Sequence, residues 1–268
     1  MIVYLSYLGN ILSCSIKEFE IYEKRSFTLS ETLIALTIIG IIAAITIPNV
    51  MLVNRDRQIV SALKKMHTSL SQAHRMARLG GEDLNEKMKS TTSTLLAATA
   101  MLEYFEPYLN ITKKCTSSSI TGCFPAGVKY KRLNGANYGV LDTTMSNQRV
   151  NARLADGTSV AFFTWGNKGC NYTSNNLKNV CGQFYVDVNG DKGPNQQGID
   201  YFSFYITETD VVPEGADGNV AVMVKEDCLI RKSAQGWNCA PWVLYKENLD
   251  YLQCSDLDWY TKTSCKEG

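Results

Sequence analysis

"KRSFTLSETLIALTIIGIIAAITIPN", Lys24 to Asn49, decides how the rest of the chain is read. From Thr32 to Val53 there is no charged residue, a run of 22; an α-helix needs roughly 20 to cross a bilayer. β-Branched and small side chains dominate, and Gly40, Ala43 and Ala44 give a small surface suited to close helix contact. A secretory signal would have an apolar core of about 7–15 residues and a small-residue cleavage site. This run is longer and has no such site. A lipoprotein signal at "ILSC", ending in Cys14, lacks a preceding basic residue.

A plain anchor does not account for Glu31. A carboxylate inside the bilayer costs on the order of 3 kcal/mol or more and usually has a functional partner. A wet position at the interface is the bland alternative. Cutting the chain between Ser26 and Phe27 suggests another: Phe27 becomes residue one, Glu31 becomes residue five, and a new α-amine lies near the carboxylate's depth. Two copies of the helix can then neutralise each other, amine against acid.

The stretch resembles the N-terminal cleavage and methylation segment of type IV pilins and type II secretion pseudopilins. The resemblance runs from about Lys24 to Pro48. It implies Phe27 as the first mature residue, N-methylated after a prepilin peptidase cuts behind Ser26. It also implies Glu31 and Pro48 as assembly positions, the proline softening the helix. Lys24 and Arg25 match the basic end of the leader, whereas Ser26 stands where the family usually has glycine. The expected domains are a leader (1–26), a stem helix (27–80, transmembrane over about 30–53) and a periplasmic or extracellular head (81–268). The expected partners are other pilin or pseudopilin subunits, the peptidase, an inner-membrane assembly platform and membrane lipid.

Net charge is +1, with no long run of one sign, so bulk charge gives no nucleic-acid footprint. Of nine cysteines, eight follow the apolar run, as neighbours 8, 11, 11 and 11 residues apart. This reads as disulfides in an oxidising compartment. The short-loop pairing is Cys115 with Cys123, Cys170 with Cys181, Cys228 with Cys239, and Cys254 with Cys265. Zinc is the alternative, but no Cys-x-x-Cys occurs. Leader charges (Lys17, Lys24, Arg25 against Glu18, Glu20, Glu23) leave the positive-inside rule undecided. The cysteine partition places the leader in the cytoplasm and the head outside it; the resemblance implies a bacterial inner membrane and then a pilus or pseudopilus filament.

After Pro48, where a bend or local melting is expected, Ile59, Leu63, Met66, Leu70, Ala73 and Ala77 form one helical face. Gly80-Gly81 ends that helix. His67 and His74 read as surface residues. "STTSTLLAATAMLEYFEPYLN" predicts a second helix, capped by Ser90 or a nearby Thr, with Leu95, Leu102 and Phe105 inward. "VNARLADGTSVAFFTW" is a hairpin about Asp156-Gly157. "QFYVDV" and "DYFSFYI" are strands, and "NVAVMVK" and "WVLYKE" weaker ones. The fold class is α+β, a long N-terminal helix packed on an antiparallel, disulfide-rich sheet head, which matches the pilin plan.

One loop, "DVNGDKGPNQQGID" (Asp187 to Asp200), alternates hard oxygen donors: Asp187, Asn189, Asp191, then Asn195 and Asp200. Calcium takes six to eight oxygens, and the start resembles an EF-hand loop. However, Lys192 replaces the glycine at position six and Gly198 the glutamate at position twelve. Some pseudopilin heads carry a calcium loop; the alternative is a turn built from Asn, Asp, Gly and Pro. No other cofactor is implied. There is no nucleophile elbow or phosphate loop, so no catalytic residue is assigned. Trp237, Trp242 and Trp259 read as core packing or a glycan-binding surface. The leading function is a structural filament subunit. A tip adhesin or surface- or DNA-binding minor pilin is the alternative, and a membrane-anchored enzyme the third.

Overall fold

The computed structural model describes residues 28–115, 121–140, 148–230 and 233–265. Cys14, Ser26 and Phe27, with the rest of the leader, lie outside the described residues. The chain divides into two units, Met1–Leu52 and Val53–Gly268.

The elements in chain order are α1 (Leu29–Leu79), α2 (Leu84–Lys89), α3 (Thr94–Phe105), β1 (Ile111–Cys115), β2 (Lys129–Lys131), β3 (Asn137–Val140), β4 (Arg149–Leu154), β5 (Ser159–Phe163), β6 (Tyr172–Ser174), β7 (Leu177–Asp187), β8 (Tyr201–Thr207), β9 (Val211–Pro213), α4 (Val220–Val224) and α5 (Ala240–Lys246). A seven-stranded antiparallel sheet has the order β1-β4-β5-β7-β8-β9, with β6 also on β7; β2 and β3 form a separate hairpin. The architecture is α+β.

At 1.5 Å per residue the 51 residues of α1 span about 77 Å. The helix is unbroken through Pro48, so the expected melting is not seen. The proline still removes the hydrogen bond to the Ala44 carbonyl. In the first unit Leu33, Ile39 and Ile45 are exposed, each by more than half of its surface. The segment is long and apolar enough to cross a membrane.

In the second unit the six residues of the expected face, Ile59 through Ala77, are all buried. They share one core with Leu102 and Phe105 of α3 and with Ala152, Phe162, Phe184 and Phe204 of the sheet. Leu95 is only half-buried. The helix stops in a Schellman motif: Glu82 N–H donates to the Ala77 carbonyl (3.0 Å), and Gly81 N–H to that of Arg78 (3.0 Å). Gly81 takes φ +86°, which glycine adopts without a Cβ penalty.

The cap of α3 is Ser93, not Ser90; its hydroxyl accepts from Leu96 N–H at 3.3 Å. Asp83 caps the separate helix α2, accepting from Glu86 N–H at 3.1 Å. The Asp156-Gly157 hairpin forms: β4 pairs with β5, and Gly157 sits at φ +88°.

Strand alternation sorts the two faces of the sheet. Val160 and Phe162 join the helix-side core, whereas Ala161 and Phe163 join a second cluster with Phe124, Tyr130, Tyr185 and Tyr201. With both faces covered, β5 and β8 are buried at every position.

Two expected strands are helices. "NVAVMVK" forms α4, whose cap Asn219 accepts from Val222 N–H at 3.4 Å; a π-turn, Lys225–Leu229, follows. "WVLYKE" falls in α5, where Pro241 occupies the first turn. A proline there loses no helical bond, whereas inside a sheet it would remove a ladder donor.

Four cysteine pairs stand at disulfide distance, each between sequence neighbours: Cys115–Cys123, Cys170–Cys181, Cys228–Cys239 and Cys254–Cys265. They differ in what they tie down. Cys115 ends β1, and Cys123 is fully buried in the second cluster. Cys170, in the loop before β6, reaches Cys181 within β7, and both lie in the helix-side core. Cys254 and Cys265 close the last stretch of the described chain, where the Cys265 N–H donates to the Asp250 carboxylate at 2.8 Å.

Both histidines of α1 face inward, against the expectation of surface positions. His74 is 1% exposed. Its Nε2–H donates to the Thr207 carbonyl at 3.1 Å, so Nδ1 is the acceptor for the Tyr104 hydroxyl at 3.0 Å. His67 stacks on Phe204 at 5.4 Å. Burial is the leading cause that lowers both imidazole pKa values below 6.5. The unfolded chain therefore takes up these protons first. The stability this supplies is complete above pH 6.5 and is lost as pH falls from there towards the folded-state values. The raised carboxyls of Asp187, Asp200 and Glu214 act in the opposite sense over the same range. The histidine contribution is therefore read as the difference in urea midpoint, in detergent, between the unaltered protein and His74→Gln, whose amide supplies the same donor and acceptor without titrating. That difference should move in the variant's favour as pH falls, the His67 part remaining in both proteins.

Candidate functional site

The first site is the start of α1. Thr28 and Glu31 form a reciprocal cap: the Thr28 N–H and hydroxyl both donate to the Glu31 carboxylate (2.9 Å each), and Glu31 N–H donates to the Thr28 hydroxyl at 3.3 Å. This is a capping box, the Thr-x-x-Glu pattern that satisfies orphan N–H groups at a helix start. The pattern is present in the letters TLSE, so the sequence carried this signal beside the charge that suggests pairing. Glu31 thus has a role within one chain, and its carboxylate is held at the first helical turn, where the helix dipole favours an anion. Farther along, Thr37 and Thr46 donate to the Leu33 and Ile42 carbonyls at 2.8 and 2.9 Å. Their hydroxyls are thereby satisfied within the apolar run.

The second site is the loop between β7 and β8. Asp187 and Asp200 are both fully buried. Asp187 accepts from the Tyr130 hydroxyl (2.5 Å) and from Asn189 and Gly190 N–H (3.2 and 2.9 Å). Asp200 accepts from Asn195 and Gln196 N–H (2.9 and 2.7 Å) and from the Asn189 side-chain amide (3.2 Å). Burial, then repulsion from Asp200, pushes the Asp187 carboxyl up to about 8. Burial also raises Asp200.

The structure therefore gathers four of the five sequence-derived oxygen residues in one loop. Asp191 is turned away: its carboxylate is exposed and paired with Arg153. Among the described residues no three His, Cys, Asp or Glu side chains form a metal-type group. The carboxylate lone pairs mostly serve loop N–H donors, as in a turn braced by aspartates. Three acceptors are left over: the amide oxygens of Asn189, Asn195 and Gln197 are buried without a hydrogen-bond partner, as is the Gln197 amide nitrogen. Sequence reasoning missed Tyr130, which reaches the loop from the β2–β3 hairpin, 57 residues away in the chain.

Of the three tryptophans singled out, Trp242 is fully buried and donates to Asn248 at 2.9 Å. Trp259 packs on it at 6.0 Å and lies under the Lys246 ammonium at 4.6 Å. Trp237 instead lines a cleft.

Residues 23–47 match the family model of the prokaryotic N-terminal methylation motif. The motif is characteristic of type IV pilins and pseudopilins. Comparison with curated proteins and with solved structures returned no match. With the long apolar helix, the antiparallel sheet and four cysteine pairs, the chain has an α+β, pilin-like organisation. The motif implies assembly with other pilin subunits. Together with the apolar helix it points to membrane anchoring and to a structural protein.

Proposed function

We propose that the protein is a structural subunit of a type IV pilus or type II secretion pseudopilus, matured by peptidase cleavage between Ser26 and Phe27. The observation that carries this reading is the methylation motif at residues 23–47, placed directly on a helix whose large apolar residues are exposed from Leu33 to Val53. An apolar surface of that length needs lipid or other helices to cover it. In this account the helix sits in the inner membrane, with the leader cytoplasmic and the remainder periplasmic, and then moves from lipid into a filament core of like helices. The new amine of Phe27 pairs with Glu31 of a neighbouring copy. Pro48 lets the helix adjust its path at that point. Crosslinking in the native host tests this: ladders of subunits are expected, and solitary molecules alone would count against it.

A second reading concerns the β7–β8 loop, where the buried oxygens of Asn189 and Asn195 favour a bound cation. Asp187, Asp200, Asn189 and Asn195 would supply hard oxygens of the kind calcium takes, with Asp191 reserved for Arg153. A cation would also offset the repulsion between the two buried aspartates. Calorimetry on the full chain in detergent should register calcium binding, and Asp187→Ala should abolish it. No heat with the unaltered protein would leave the loop as a braced turn.

A further inference from the structure

On the sheet face opposite α1 the second unit holds a cleft of about 620 Å³ that neither reading above uses. Its floor is made by Gln183 and Tyr185 of β7 and Tyr205 of β8, where Gln183 pairs in register with Tyr205. One wall is aromatic. Trp237 meets Tyr138 at 5.2 Å and Tyr185 at 6.2 Å, both edge to face. The other wall is acidic: Glu214, Asp217 and Asp227 line the cleft, and no Lys, Arg or His is among the described residues that do so.

The acids are built in. Asp217 accepts from the Ser174 hydroxyl (2.7 Å), the Asn175 amide (2.8 Å) and Gly215 N–H (3.3 Å). Asp227 accepts from Gln235 and Asn238 N–H at 2.8 and 3.0 Å, which fixes the segment that carries Trp237. The Cys228–Cys239 pair closes that segment. These donors are neutral, so they hold the negative charges without cancelling them. Glu214 accepts from the Tyr205 hydroxyl at 3.3 Å through Oε1, and the Ser203 hydroxyl is the neighbouring donor for the carboxylate. Its carboxyl is pushed up to about 7 by burial and by the negative charges of Asp217 and Asp227. The buried Arg149 guanidinium lies 5.4 Å from the Tyr185 ring centre, over Phe124 as well, and does not line the cleft.

Electron-rich rings beside carboxylates whose hydrogen-bond donors are neutral repel anions and stabilise a weakly hydrated cation; aromatic surroundings are the usual receptor for organic ammonium groups. We propose that this cleft binds a small organic ammonium ion against Trp237 and Tyr185, with Glu214 as its counter-charge. The proposal rests on the second unit alone, so its failure would leave the filament reading untouched.

The test titrates the full chain, in a non-ionic polyoxyethylene detergent, with choline and with its neutral isostere 3,3-dimethylbutan-1-ol, following tryptophan fluorescence. Choline should give a saturable change, and the isostere should bind at least about tenfold more weakly. A methylammonium arm separates a methylated from a primary ammonium ligand, and saturable binding of either supports the proposal. Glu214→Gln should weaken choline about tenfold with the thermal midpoint maintained, and Trp237→Leu should weaken it at least as much, the change then being read from Trp165, which also lines the cleft. Equal binding of choline and its isostere, an equal response to sodium chloride, or no saturable response to either ammonium would overturn it.

Discussion

Glu31→Ala is expected to leave membrane insertion intact and to remove most incorporation into filaments. Insertion depends on the apolar run, which the substitution only lengthens. Incorporation depends, in this account, on the negative charge at residue five of the mature chain. The capping box complicates a simple reading, because alanine deletes both the charge and the bonds to Thr28. Glu31→Gln separates them: glutamine also serves at the third position of a capping box but carries no charge. If amine–carboxylate pairing drives assembly, glutamine should fail nearly as badly as alanine. Filament yield close to normal with glutamine would reduce Glu31 to a helix cap.

The second large effect divides α1 by function. Leu63 is fully buried in the core shared with the sheet. Leu63→Ala should destabilise the second unit by about 2–5 kcal/mol, from lost burial plus the residual cavity. Ile39 is 62% exposed. Ile39→Ala should leave the urea midpoint of that unit unchanged and act only on association with lipid or neighbouring helices. Denaturation in detergent, followed by near-UV circular dichroism, measures both. A loss of stability from Ile39→Ala as large as that from Leu63→Ala would contradict this division.

Local and periodic features were legible. The face from Ile59 to Ala77, the Gly80-Gly81 stop and the Asp156-Gly157 turn each depend on neighbours within a few residues, and the structure has all three. The cysteine pairs belong with them, since Cys170 and Cys181, like Cys254 and Cys265, are only 11 residues apart. Features made by distant partners were not legible. His74 reads as a surface residue until Tyr104 and Thr207 close over it from 30 and 133 residues away. Asp191 fits an oxygen-ligand spacing until Arg153, 38 residues distant, takes its carboxylate. "NVAVMVK" and "WVLYKE" are apolar runs too short for periodicity to separate strand from helix, although Asn219 and Pro241 were available as helix-start signals. At Glu31 the letters TLSE carry two roles at once, a charge at the start of the apolar run and a capping box within one chain.

If peptidase cleavage turns this chain into an assembling subunit, mass spectrometry of the N-terminus of protein from its native host will show the cut. The account predicts a first residue of Phe27 bearing one added methyl group on its α-amine. A retained leader, or a first residue elsewhere in the chain, would contradict it.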